Sequence, residues 1–336
     1  MTKEEAITEM ERLIDAFPDN MVEAIEIGKR AAENFKPRRV SNVLISGLGG
    51  SGIGGKYASQ LVWDQCSVPI QVVNDYRIPA WVGEDTLFVA CSYSGNTEET
   101  LSTLAEAMAK GASISCVTSG GKLELLAREN DFNMIKIPGG QPPRTSFGYN
   151  ALQQLFILSA YDLIGKEFMT DLSSAAQLLK NESGLIKAEA SAIANKIGNK
   201  IPVVYAETYF EAVAIRFRQQ INENAKTLCW HHALPEMNHN ELVAWAGGSQ
   251  EYAVLMIRTP EDHPRTAKRM ELSKEIIARY TDGLIELKPK GASRIEMVYY
   301  LTHLVDWVSY YMAVEKDVDP IEIEVIDYFK AQLAKG

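Results

Sequence analysis

Val43-Leu44-Ile45-Ser46-Gly47-Leu48-Gly49-Gly50-Ser51-Gly52 is a short apolar run that breaks on glycine and gives way to a helical pattern. A strand that turns on glycines straight into a helix opens a βαβ unit, the element from which parallel sheets are built. Outward from it the alternation continues. Apolar, strand-like runs fall at 70–74, 87–91, 114–118 and 134–137, with helical composition at 98–110 and 123–129. The runs are rich in Val, Ile and Leu, which predicts a sheet covered on both faces. Pro138-Gly139-Gly140-Gln141-Pro142-Pro143 then interrupts regular structure. Helical pattern resumes at 150–164 and 171–197, before strands at 201–206, 252–258 and 284–287 and helices at 207–222, 263–280, 293–314 and 321–335. The expectation is an α/β protein of two doubly wound parallel-sheet domains with helices on both faces, residues 1–150 and 151–336.

A chain of 336 residues is long enough for two cores. Its formal net charge of −10 repels nucleic acid and anionic membrane, so neither is expected as a partner. An anionic small molecule would need a local positive pocket. The cysteines stand at 66, 91, 116 and 229 with no CxxC pair, and Cys91 and Cys116 lie inside strand-like runs. That usage suits a reducing compartment. A zinc site from Cys229 with His231 or His232 is the metal reading to weigh against it. The charged N-terminus lacks the apolar core of a signal peptide, and no apolar stretch reaches the roughly 18 residues of a membrane span, so a cytoplasmic protein is expected.

The glycines after the first strand point backbone N–H groups and a helix N-terminus at one spot, which suits a phosphate. Gly47, Gly49 and Gly52 also fit the dinucleotide-binding spacing, and Asp75 closes the second strand, so a dehydrogenase is an alternative. Cys91-Ser92-Tyr93-Ser94-Gly95-Asn96-Thr97-Glu98-Glu99-Thr100 separates the two readings. Ser92, Ser94 and Thr97 bring three hydroxyls to the start of a helix, where they can bind phosphate without net charge. Plain capping by Asn96, with Glu99 as its reciprocal partner, leaves those hydroxyls unexplained.

Gly47–Gly52 followed by Ser92–Thr100 is similar to the phosphosugar-binding signature of SIS domains. The whole chain resembles the bifunctional phosphoglucose/phosphomannose isomerase branch of the phosphoglucose isomerase superfamily. The resemblance implies two SIS-type domains and a sugar phosphate whose 6-phosphate is gripped by Ser92, Ser94 and Thr97. Gly49, Gly50 and Ser51 would line the same pocket. It implies conversion of glucose 6-phosphate to fructose 6-phosphate through a cis-enediol, in hexose metabolism.

Such an isomerisation needs a base for the carbon proton, a proton shuttle for the ring oxygen and a cation for the enediolate. Glu223, in Gln219-Gln220-Ile221-Asn222-Glu223-Asn224-Ala225-Lys226, ends a helical pattern and resembles the family's base. Its bland reading is a solvated helix-end carboxylate beside Lys226. His239, in Asn238-His239-Asn240-Glu241, follows it by sixteen residues, the family's glutamate-to-histidine spacing. There the histidine assists ring opening from the neighbouring subunit, which implies a homodimer with His239 acting in trans. Glu236 and Glu241 are competing carboxylates, and His231 and His232 competing histidines. Arg144, on the stiff Pro142-Pro143 turn, matches the arginine that stabilises the enediolate, against an interdomain salt bridge. Lys330, in the last helix, matches a lysine used near the ring oxygen. No cofactor and no metal are implied.

One departure concerns mannose 6-phosphate. Members that accept it tend to carry a threonine shortly before the lysine, and Ile321-Glu322-Ile323-Glu324-Val325 has none. A non-catalytic SIS-type sugar-phosphate sensor is the second reading, and it would need neither Glu223, His239 nor Lys330.

Overall fold

The structure, a computed structural model, describes residues 1–333 and 335. The chain divides into two compact units. One comprises Ala16–Asn181 with Lys290–Tyr300, the other Met1–Asp15, Glu182–Pro289 and the residues from Leu301. Helices α1 (Lys3–Asp15) and α2 (Phe17–Ala32) come first in the chain, followed by β1 (Asn42–Ser46), α3 (Gly49–Leu61), β2 (Ile70–Val73) and β3 (Thr86–Cys91). Then come α4 (Glu98–Ala109), β4 (Ser113–Thr118), α5 (Gly121–Glu129), β5 (Asn133–Lys136), α6 (Phe147–Ala160) and α7 (Phe168–Ile197).

These five strands form one parallel sheet in the order β2-β1-β3-β4-β5, with Ile45 of β1 paired to Val72 on one side and Val89 on the other. Every residue of β3 and β4 is buried, as a two-sided cover requires. Leu44, Phe88, Ala90 and Cys116 pack with Leu104 and Ala107 of α4 and Leu123 and Ala127 of α5. The alternate residues Val43, Ile45, Leu87 and Val89 point the other way and are buried too. Helix α6 is apolar almost all round and buried from Phe147 to Ser159, the pattern of an interior helix. Its Phe147 ring meets that of Tyr57 on α3 edge-on, with centroids 4.8 Å apart.

The rest of the chain provides β6 (Ile201–Glu207), α8 (Glu211–Asn224), β7 (Trp230–Leu234), α9 (Glu241–Ala244) and β8 (Tyr252–Ile257). It continues through α10 (Pro264–Ile277), β9 (Leu284–Leu287), α11 (Arg294–Glu315) and α12 (Glu324–Leu333). Its sheet is also parallel, in the order β7-β6-β8-β9, so it repeats β2-β1-β3-β4 strand for strand. The sequence reading has no strand at Trp230–Leu234. β7 lies at the sheet edge, and its Trp-His-His start is exposed or half-buried, so it lacks the apolar run that marks its neighbours.

In both sheets the chain order reverses beside the first strand, between β1 and β3 and between β6 and β8. Ligands of open α/β sheets bind in the crevice outside the carboxyl ends of the strands at such a point. The second crevice holds an acid of its own. Glu207, at the end of β6 and only 6% exposed, accepts the backbone N–H of His263 at the start of α10 at 3.0 Å. Burial raises the Glu207 carboxyl, and likewise that of neighbouring Asp262.

Candidate active site

The crevice between β1 and β3 carries both glycine- and serine-rich loops. Helix α3 begins at Gly49 with no acidic residue in its first turn, leaving its positive end uncompensated. The N–H groups of Gly49 and Gly50 are among those a helix start leaves without an intrahelical acceptor. Helix α4 begins after Thr97 and carries Glu98 and Glu99 in its first turn, so its end is the less anion-friendly of the two. The cap is Thr97 rather than Asn96. The Asn96 side chain instead accepts the Lys122 N–H at 3.1 Å and donates to the Ser94 carbonyl at 3.2 Å.

The loop hydroxyls divide into frame and face. Ser92 is fully buried, lies 2.8 Å from the Thr97 hydroxyl and accepts the Thr97 N–H at 3.4 Å. Ser51, also buried, accepts from Tyr93 N at 3.1 Å and Asn150 Nδ2 at 3.2 Å, which leaves its own proton to donate. Ser94 is exposed and Thr97 half-buried, and Gly49 at the start of α3 is exposed, so these parts of the two loops are open to solvent. Gly95 turns the loop at φ +69°, and a Cβ there would overlap the Gly120 carbonyl oxygen.

Tyr93 ties these parts together. Its N–H holds Ser51, its carbonyl accepts from Ser119 N at 3.0 Å, and its hydroxyl accepts from Gln141 N at 3.1 Å. Gln141 leads into the turn of Arg144, where Thr145 N and Oγ1 both donate to the Pro142 carbonyl, at 2.9 and 2.8 Å. A Cβ on Gly50 would stand 3.2 Å from the Pro143 oxygen and 3.7 Å from the Arg144 Cα. The turn bearing the buried Arg144 therefore lies directly against the α3 N-terminus. Arg144 and the residues of the two loops come together in one unit. Sequence reasoning missed Tyr93 and Asn150, because an aromatic between serines reads as packing and the asparagine as an ordinary helix start.

Glu223 lies in the last turn of α8 and is half-buried. The helix is held from behind by a buried ion pair, Arg216 to Asp306 of α11 at 2.6 Å, and by Asn224 Nδ2 donating to Ser309 Oγ at 2.9 Å. Lys226 donates to the backbone carbonyls of Glu223 and Glu322 at 2.7 and 2.8 Å, closing the helix end and joining it to the segment before α12. Glu223, Lys226, Leu228, Ile323 and Val325 border a cleft of about 580 Å³. Lys330 is exposed on α12, four residues beyond the last cleft residue, Ile326.

His239 ends a short 3₁₀ turn, Glu236–His239, and its side chain is exposed. Buried Met237 and Trp245 flank it. Of the competing groups, Glu236 accepts from Asn240 Nδ2 at 3.0 Å, His231 Nε2 stands 3.8 Å from Glu211, and His232 is bonded to Glu241. Burial pushes the Cys229 thiol up to about 12, a poor state for a metal-binding thiolate. Among the described residues, no group of three or more His, Cys, Asp or Glu side chains could hold a metal ion, and no helix is long and apolar enough to cross a membrane.

Residues 186–333 match the family model of the bacterial phospho-glucose isomerase C-terminal SIS domain. The chain is 37% identical to the bifunctional phosphoglucose/phosphomannose isomerase of Caldicellulosiruptor bescii, over 95% of this chain and 97% of that protein. It is 36% identical to the protein of the same name from Aquifex aeolicus, over 87% of this chain and 90% of that one. Among solved structures, the C-terminal domain of glucosamine-fructose-6-phosphate aminotransferase from Francisella tularensis superposes with a TM-score of 0.72 at 17% identity. That match covers 94% of this chain and 97% of the other, a likeness of fold.

Proposed function

The chain belongs to the bifunctional phosphoglucose/phosphomannose isomerase family, and on that premise we propose that it is an aldose–ketose isomerase. It interconverts glucose 6-phosphate, and its C2 epimer mannose 6-phosphate, with fructose 6-phosphate. The observation that carries the reading is the pairing of Gly49-Gly50-Ser51 with Ser92–Thr97 at the β1/β3 crevice, with the Arg144 turn packed on Gly50. A dinucleotide site has no use for the hydroxyls of the second loop, and the relatives are isomerases by name rather than sensors.

The α3 N–H groups, Ser94 and Thr97 take the phosphate, on the frame of Ser51 and Ser92. Ring opening removes the proton of the C1 hydroxyl and adds one to the ring oxygen. His239 moves that proton, and Lys330 supports the ring oxygen. The Glu223 carboxylate then takes the C2 proton of the open aldose and the C1 carbonyl oxygen gains the charge. Arg144 balances that enediolate; the C2 hydroxyl proton passes to O1, and return of the proton from Glu223 to C1 gives the ketose. Rotation about C2–C3 of the intermediate presents either face to Glu223, so the epimer is admitted where there is room. The stretch 321–325, which lacks the threonine that other members tend to carry shortly before the lysine, brings Ile323 and Val325 to the cleft that Glu223 borders.

His239 acts in the neighbouring subunit of a homodimer, a role that suits its exposure at the tip of an anchored turn. A fully active monomer at high dilution would overturn that role. Four free cysteines fit a cytoplasmic enzyme working in either direction of hexose-phosphate flow, glycolytic or gluconeogenic. A coupled assay with each aldose 6-phosphate, in EDTA, tests the whole reading. Wild type should turn over both substrates, and Glu223→Gln should lose about 10²- to 10⁴-fold in kcat. Full activity in the variant would remove Glu223 from the role of base, and turnover of the glucose epimer alone would remove the second substrate.

A further inference from the structure

Glu241 takes no part in the chemistry above, yet both oxygens of its carboxylate are engaged. One carboxylate oxygen accepts from the Tyr205 hydroxyl and the other lies 2.7 Å from His232 Nδ1. The Trp245 indole N–H donates to the same Tyr205 hydroxyl at 3.0 Å. Tyr205 belongs to β6 and His232 to β7, while Glu241 opens α9 and Trp245 follows it. Four residues thus form one chain of hydrogen bonds that fastens the segment after β7 to the two strands beneath it.

His239 sits inside that segment. On its N-terminal side Met237 is fully buried, and Asn238 Nδ2 donates to the buried Ser273 hydroxyl of α10 at 2.8 Å. On its C-terminal side the Asn240 side chain accepts the Glu241 N–H, so the carboxylate anchor is two residues from the histidine. Apolar anchors such as Met237 and Trp245 set the depth of the segment but not its rotation, because hydrophobic contact is non-directional. A carboxylate gripping two donors from two strands fixes direction as well. Tyr205 is buried, and both burial and Glu241 raise its hydroxyl, so it stays protonated and remains the donor.

We propose that Glu241 is a positioning residue, whose bonds to Tyr205 and His232 aim the segment that presents His239. The proposal rests on the role given to His239 above and extends it. It also gives His232 a use as orienting partner rather than as ligand or acid.

The test is a double-mutant cycle on kcat, using Glu241→Ala, His239→Ala and the pair, with KM and melting temperature followed in each. Loss of aim by the order of an ångström should lower kcat about 10- to 100-fold with KM within about twofold. In the His239→Ala background, the same Glu241 change should cost less than about twofold, because there is no histidine left to aim. Glu241→Gln keeps an acceptor for Tyr205 and should fold normally with part of the rate restored, which covers the case in which alanine unfolds the segment. Equal losses in both backgrounds, or a lower melting temperature with unchanged kcat, would overturn the positioning role alone. Full activity of His239→Ala would overturn the role of His239 and this inference with it.

Discussion

The hydroxyls of Ser92 and Thr97 lie 2.8 Å apart across five residues of chain, so the loop between β3 and α4 is fastened at both ends. Ser94 stands at its exposed crest. Two kinds of serine should therefore respond differently. Removing the outward hydroxyl with Ser94→Ala should raise KM for fructose 6-phosphate about tenfold or more, the value of one hydrogen bond to a charged group, at unchanged melting temperature. Ser92→Ala should raise KM and also cost about 1 kcal/mol of stability, since Thr97 loses its buried partner. Equal melting temperatures for the two variants would show that Ser92 does not frame the loop.

Gly50 and Arg144 are coupled through backbone rather than side chains. Gly50→Ala places a methyl 3.2 Å from the Pro143 oxygen, closer than comfortable contact, so the turn must yield by a few tenths of an ångström. The expected effect is about a three- to tenfold fall in kcat with little change in KM or stability, because the displaced turn carries Arg144, proposed above to balance the enediolate. A change in KM alone would mean that the turn serves phosphate binding instead.

His303, in α11, gives a pH signature. It is 1% exposed, and its Nε2 accepts the Trp307 indole N–H at 3.1 Å, so it is held neutral. Burial pushes its pKa down to about 3, below the ordinary 6.5. The unfolded chain then binds a proton that the folded one refuses. The stability involved is fully present above pH 6.5 and is lost as pH falls from there toward 3, by up to about 1.4 kcal/mol per pH unit. Urea unfolding at pH 7.5, 6.5 and 5.5 should show this slope, and His303→Gln, which keeps an acceptor for Trp307, should flatten it. Parallel slopes would refute the assignment.

The glycines after Val43–Ser46 and the hydroxyls after Leu87–Cys91 were legible because turns and helix starts are dictated by a few adjacent residues. The interior strands announced themselves by burial on both faces. β7 did not, since an edge strand needs no continuous apolar run. Glu223 stood out only through resemblance, a single carboxylate at a helix end being common on any surface. Tyr93 and Asn150 escaped for another reason, and Glu241 reads only as a competing base. Their bonds reach Ser51 and Tyr205 across tens of residues, and periodicity carries no information at that range.

The repeated strand order invites the expectation of two equivalent ligands per chain, and Glu207 speaks against it. In the second crevice its carboxylate already takes the His263 N–H, as a bound anion would, and does so permanently because it is part of the chain. Titration calorimetry with fructose 6-phosphate should accordingly give a stoichiometry of one per polypeptide. One strand order thus serves two different ends: the first crevice opens onto uncompensated helix N–H groups, while the second is closed by a charge that the chain itself supplies.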